Sequence, residues 1–203
     1  MKTLQERDFQ SIWHPFDQAK HTTIIPIEKG EGAYVFDEAG NRYIDGFSSW
    51  WVNLHGHSNA ELAQALYEQA IKLEHVAFGG FSHEKAIVLA EKLLEKLPNN
   101  LGKVFYSDNG STANEVAIKM ALHYFYNLGT PKTKIIALEN GYHGDTFGGM
   151  SVTGRGTFNA PFESMLFDVC FLPIPYKENS EECLRTLHNY LQTNEVAAFI
   201  FEP

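Results

Sequence analysis

The sequence predicts an α/β fold: a mostly parallel sheet with helices on both faces, preceded by an N-terminal segment that carries a β-hairpin. Three observations lead there. Beyond Lys103, short apolar runs alternate with stretches of helical period, the pattern of buried strands joined by covering helices. Before Lys103, two segments place apolar residues on one helical face. Nearer the N-terminus, two β-prone runs flank a turn.

Taken in order, the stretch to about Lys29 has no sustained periodicity and carries Trp13-His14-Pro15-Phe16. Ala33-Tyr34-Val35-Phe36-Asp37 and Arg42-Tyr43-Ile44-Asp45 then form the hairpin around Glu38-Ala39-Gly40-Asn41. Leu62, Leu66, Ala70, Leu73 and Ala77 share one face of a first helix. A second begins at about Ser82, with Ala86, Leu89, Ala90, Leu93 and Leu97 inward, and Pro98-Asn99-Asn100 stops it. Val104-Phe105-Tyr106 reads as a strand. Thr112-Ala113-Asn114-Glu115 reads as the capping-box start of a helix whose inner face holds Ala113, Val116, Ala117, Met120, Ala121 and Tyr124. Ile135-Ile136-Ala137-Leu138, Val169-Cys170-Phe171-Leu172 and Val196-Ala197-Ala198-Phe199-Ile200-Phe201 read as further strands, the last preceded by a helix bearing Leu184, Leu187 and Leu191. The expected division is residues 1–58 as an N-terminal segment and 59–203 as the first part of a large domain. Glu202-Pro203 follow directly on a strand, where loops of open α/β sheets build ligand sites. The expectation is a fragment that stops inside a site.

Composition narrows the function classes. A net charge of −9, with no basic stripe, argues against nucleic-acid or anionic-membrane partners. It leaves room for a local anion site built from backbone N–H groups. Cys170 and Cys183 have no second pair, so neither a metal finger nor a disulfide framework is expected. The charged start (Met1-Lys2-Thr3-Leu4-Gln5-Glu6-Arg7-Asp8) is unlike a signal peptide, and no apolar run approaches the roughly 20 residues of a membrane span. A cytoplasmic protein is expected.

Three segments carry chemistry. In Tyr106-Ser107-Asp108-Asn109-Gly110-Ser111-Thr112, a strand runs through a small turn into a helix. Gly110 admits an anion close to the backbone, Ser111 adds a hydroxyl, and the first helical N–H groups point outward. That is a phosphate cradle, although the same residues also describe an ordinary capped loop. Asn140-Gly141-Tyr142-His143-Gly144-Asp145-Thr146-Phe147-Gly148-Gly149 follows the next strand and can lay a ring against a planar ligand; it reads also as a flexible loop with a surface tyrosine. Ser48-Ser49-Trp50-Trp51-Val52-Asn53-Leu54-His55-Gly56-His57 splits two tryptophans between opposite sides. His55 and His57 lack further ligands at metal-site spacing, so no metal is expected. There is no G-x-S-x-G elbow to support serine-nucleophile chemistry.

Together these segments resemble the class III aminotransferases of the fold-type-I pyridoxal-phosphate superfamily, from Trp13 to Pro203. Asp108-Asn109-Gly110-Ser111, Gly141-Tyr142-His143-Gly144 and Phe201-Glu202-Pro203 carry the class-level likeness. Trp13-His14-Pro15, Ser48-Ser49-Trp50-Trp51, His75-Val76-Ala77-Phe78-Gly79-Gly80 and Asp145-Thr146-Phe147-Gly148 are similar to the branch of that family acting in biotin biosynthesis. The resemblance implies pyridoxal 5′-phosphate as cofactor. It implies ping-pong transamination of 8-amino-7-oxononanoate to 7,8-diaminononanoate, with S-adenosylmethionine as amino donor, in a homodimer. Gly110 and Ser111 would hold the phosphate, Tyr142 would lie on or beside the pyridine ring near the substrate, and Glu202 would stand close to the cofactor. Trp50 would wall the substrate pocket, with Asp145 nearby. Phe16 departs from the family, which often has tyrosine there; the lost hydroxyl opens lysine as an alternative donor.

The resemblance also implies what is absent. The family's Schiff-base lysine, the acid on the pyridine nitrogen and the arginine for substrate carboxylate all lie beyond the Glu-Pro segment, hence past Pro203. No residue of this chain is therefore assigned as catalytic, and the 203 residues alone are expected to be inactive and poorly soluble. Two other readings stand beside this one: a sibling ω-amino-acid transaminase of the same class, and a non-catalytic short module that binds a partner through its aromatic N-terminal segment.

Overall fold

A computed structural model describes residues 2–18, 20 and 23–203. The chain forms two compact units, residues 1–89 and 90–203.

In the first unit, α1 (Leu4–Ser11) begins with a capping box: the Thr3 hydroxyl accepts from Glu6 N–H and the Glu6 carboxylate accepts from Thr3 N–H. The sequence reading found no element here, although Thr3-Leu4-Gln5-Glu6 spells that motif. β1 (Ile27–Glu31), β2 (Tyr34–Asp37) and β3 (Arg42–Ile44) form an antiparallel sheet in the order β1-β2-β3. The hairpin is where it was expected. β1 was not foreseen, because Glu28, Lys29 and Glu31 make it too polar to read as a strand and only pairing with β2 defines it.

The segment after β3 is unusual. α2 (Ser48–Trp51) is a turn of four successive residues with positive φ, from 48° at Ser49 to 67° at Trp51. Left-handed backbone costs L-residues about 1–2 kcal/mol each, so something must hold it. Asp45 does: its carboxylate accepts from Ser49 N–H (2.9 Å) and Ser49 Oγ–H (2.7 Å). Those bonds, with the one from His57, hold Asp45 below the ordinary aspartate pKa. His57 Nε2 lies 2.8 Å from the Asp45 carboxylate, and the His57 backbone pairs with Gly32. A side chain at Gly30 would run into the His57 ring, 2.6 Å from its Cβ. His57 is thus a structural pin.

α3 (Ala60–Ala70) and α4 (Glu84–Leu94) follow. The expected helices are both present but shorter: Leu73 and Ala77 lie beyond α3, and Leu97 beyond α4. Asn59 caps α3 by accepting from Leu62 N–H.

The second unit holds the predicted parallel sheet. β4 (Lys134–Leu138) lies between β5 (Cys170–Leu172) and β6 (Val196–Ile200), all parallel. Ile135 and Ala137 point to one face and pack with Ile118 of α5 (Gly110–Asn127) and Val152 of α6 (Phe147–Val152). Ile136 points to the other face and is equally buried, so β4 is covered on both sides. α7 (Ser180–Gln192) packs on β5 and carries the expected leucines.

Two expectations fail here. Val104-Phe105-Tyr106 forms no strand: an apolar run needs a neighbour's ladder, and among the described residues it finds none, leaving Phe105 63% exposed. The capping box of α5 is not at Thr112-Glu115. Asn109 is the cap, exchanging hydrogen bonds with Thr112 (3.0 and 3.2 Å), which moves the helix start back to Gly110. α6 was also unforeseen, since Gly148 and Gly149 read as loop. Its N-cap Thr146 and the Arg155 guanidinium, which donates to the carbonyls of Met150, Ser151 and Thr153, satisfy its two ends.

Candidate cofactor site

The site-forming residues of the second unit come from the carboxyl ends of adjacent parallel strands, where open α/β sheets place their ligands. β4 leads into the loop bearing Tyr142, and β6 leads into Glu202. Tyr142 N–H donates to Glu202 Oε2 at 3.0 Å, tying the two strand exits together. Tyr142 O–H donates to Asp145 Oδ2 at 2.9 Å, which stands the phenol over its own loop. Partial burial first, then this bond to a carboxylate, pushes the Tyr142 pKa up, so the ring stays neutral. The ring is 56% exposed, a flat apolar surface turned outward.

The second component is the N-terminus of α5. Asn109 takes the Thr112 and Ala113 N–H groups through its side chain and carbonyl. Helix geometry then leaves Gly110 and Ser111, at the first two positions, with no intrahelical acceptor. A Cβ at Gly110 would meet nothing within 4 Å, so its surroundings are open. Ser111 Oγ accepts from Asp145 N–H at 3.3 Å, which leaves the hydroxyl proton for a ligand. The structure therefore brings Ser111, Tyr142, Asp145 and Glu202 into one hydrogen-bonded group, with Gly110 beside Ser111.

Phe16 and Trp50 lie in the first unit and meet there edge to face, with ring centroids 5.7 Å apart. Both have positive φ, and they are 73% and 54% exposed.

Sequence reasoning did not name four further residues that build this site as site residues. Gly144 (φ +109°) lies against Ser111 so closely that a Cβ would come 2.8 Å from the Ser111 Cα. Asn114 and Glu115 hold the Tyr142 loop from below, the signal being their spacing from Ser111 on one helix face. His143 is the fourth. Its ring is 5% exposed, and among the described residues its Nε2 finds no hydrogen-bond partner. Burial lowers its pKa, and the nearby Glu202 charge opposes the shift.

The His143 shift has a testable sign. Its folded-state pKa lies below the unfolded value of about 6.5, so its contribution to stability is full above about pH 6.5 and falls as the pH drops toward the folded value. Unfolding midpoints measured across this range should decline on acidification, and less so in His143→Gln. An identical decline in both proteins would contradict the assignment.

An orphaned buried nitrogen, an open helix N-terminus and an exposed aromatic face fit a planar, phosphorylated heterocycle. The comparisons agree. The Aminotransferase class-III family matches residues 16–203, and the chain belongs to that family of pyridoxal-phosphate-dependent aminotransferases. It is 47% identical, over 95% of its length, to the adenosylmethionine-8-amino-7-oxononanoate aminotransferase of Synechococcus elongatus, covering 47% of that protein. The crystal structure of the enzyme of that name from Methanocaldococcus jannaschii superposes with a TM-score of 0.87 at 40% identity, over 97% of this chain and 45% of that one. The omega transaminase from Pseudomonas jessenii in complex with PMP gives 0.89 at 32%, over 100% of this chain and 49% of that one. The chain spans about half the length of the curated relatives it matches. The fold is the fold-type-I one expected, and the cofactor indicated by family and neighbours is pyridoxal phosphate.

Proposed function

We propose that the intact protein transaminates 8-amino-7-oxononanoate to 7,8-diaminononanoate in biotin biosynthesis. The observation that carries this reading is the junction of the α5 N-terminus with the Tyr142 loop through Ser111 and Asp145, in a chain similar to proteins named adenosylmethionine-8-amino-7-oxononanoate aminotransferase.

Gly110 and Ser111 would hold the cofactor phosphate with N–H groups and the Ser111 hydroxyl. Tyr142 would lie along the pyridine ring, its orientation set by Asp145 at the phenol and Glu202 at the backbone. When bound, pyridoxal phosphate supplies the electron sink through which an amino group passes from donor to acceptor. Trp50 and Phe16 would offer apolar surface to the substrate, and Asp145 would border it. Phe16 has no hydroxyl to offer a polar donor, which makes lysine a candidate beside S-adenosylmethionine. A homodimer in the cytoplasm is the expected assembly. The lysine that binds the cofactor is expected outside these 203 residues.

The likeness to an omega transaminase favours one second reading, an ω-amino-acid transaminase of the same class. Acceptor profiling of the complete protein separates the two. Formation of 7,8-diaminononanoate, followed by mass spectrometry with S-adenosylmethionine or lysine as donor, is the expected result. Turnover of ω-amino acids with none of 8-amino-7-oxononanoate would replace the first reading by the second.

A further inference from the structure

Ser111, Asn114 and Glu115 occupy positions i, i+3 and i+4 of α5 and so share one face of the helix. Each makes a hydrogen bond to the loop that carries Tyr142. Ser111 Oγ accepts from Asp145 N–H at 3.3 Å, Asn114 Nδ2–H donates to the His143 carbonyl at 2.7 Å, and Glu115 Oε1 accepts from Gly148 N–H at 2.6 Å. The loop approaches this face closely enough to exclude side chains at two points: a Cβ on Gly144 would overlap Ser111, and one on Gly148 would come 2.7 Å from the Glu115 carboxyl carbon.

We propose that Asn114 and Glu115 are positioning residues, clamping the loop of residues 143–148 onto α5 so that the phosphate cradle and the Tyr142 ring are held as one body. The inference rests on the cofactor reading above and goes beyond it, because neither side chain is assigned contact with cofactor or substrate. Glu115 makes the strongest of the three contacts, a carboxylate receiving a backbone N–H from the first turn of α6. That N–H has no acceptor within its own helix, so the bond both caps α6 and fixes the distance of the loop from α5. Ser111 works at both ends: its lone pair holds the loop and its proton remains for the phosphate. A shift of the loop away from α5 would therefore tilt the Tyr142 ring and loosen the phosphate site together.

The test uses the complete protein with Glu115→Ala, Glu115→Gln and Asn114→Ala. Titration with pyridoxal phosphate, induced circular dichroism of the bound cofactor and kcat at saturating cofactor are measured beside thermal unfolding of the apoprotein. Glu115→Ala is expected to weaken cofactor binding about tenfold and to change the induced signal even at saturation. Glu115→Gln keeps the acceptor oxygen and should restore both to within about twofold. Asn114→Ala should change the same quantities in the same direction, and it decides the matter if Glu115→Ala does not fold. A Glu115→Ala or Asn114→Ala protein with wild-type cofactor spectrum and kcat, altered only in apoprotein unfolding, would overturn the clamp and leave the cofactor reading intact. Absence of any cofactor signal in the wild-type protein would overturn both.

Discussion

Gly144→Ala is expected to destabilise the second unit by about 2–6 kcal/mol and to abolish retention of the cofactor. Two effects add. Gly144 has φ +109°, a conformation that costs an L-residue of order 1–3 kcal/mol. The new methyl would also stand 2.6 Å from Ser111 Cβ and 2.8 Å from Ser111 Cα, inside any real contact distance. Overpacking of this kind costs about 1–3 kcal/mol more. Relief requires the loop to move off α5, which breaks the Asp145 bond to Ser111 and carries Tyr142 with it. Chemical unfolding and cofactor titration check this together. An alanine variant with wild-type midpoint and affinity would show that the close approach of loop and helix is not needed.

A second large effect concerns the length of the chain. Residues 1–203 expressed alone are expected to show no transamination. The lysines whose contacts are described are engaged by other groups of their own unit. Lys134 opens β4, at the end of the strand opposite Tyr142, and pairs with Glu195 at 2.6 Å; that bond raises its pKa and keeps it cationic. Lys119 and Lys132 line an apolar groove with Phe105, Met120 and Tyr126. Lys29 lies over the Phe36 ring and Lys72 faces Glu84. A cation in an ion pair is no nucleophile, since the free amine is the reacting form. Turnover by the 203 residues, or cofactor fixed to them by borohydride, would refute the expectation.

The legible part of this protein was the part written in local pattern. The hairpin, the three parallel strands and the helices over residues 110–127 and 180–192 follow from period and turn chemistry, and the strand-exit rule points to the Tyr142 loop, whereas Glu202 was singled out mainly by the family resemblance. What escaped was tertiary. Gly148-Gly149 reads as loop because glycine disfavours helix, yet Glu115, 33 residues earlier, supplies the acceptor that starts α6. Thr112-Ala113-Asn114-Glu115 matched a capping box; the true box pairs Asn109 with Thr112, and the Glu115 carboxylate accepts from Gly148 N–H instead. Val104-Phe105-Tyr106 has a strand's composition, yet joins no strand ladder among the described residues. The left-handed turn at Ser48–Trp51 has no glycine to announce it. Asp45, just past β3, and His57, which bonds to it, help to hold it.

The central claim is that the α5 N-terminus and the Tyr142 loop form one cofactor-binding unit. A structure of the complete protein with pyridoxal phosphate tests it most directly. The account predicts phosphate oxygens within about 3 Å of the Gly110 and Ser111 N–H groups and of the Ser111 hydroxyl, with the pyridine ring along Tyr142. A phosphate held elsewhere, with Gly110 and Ser111 facing solvent, would contradict it.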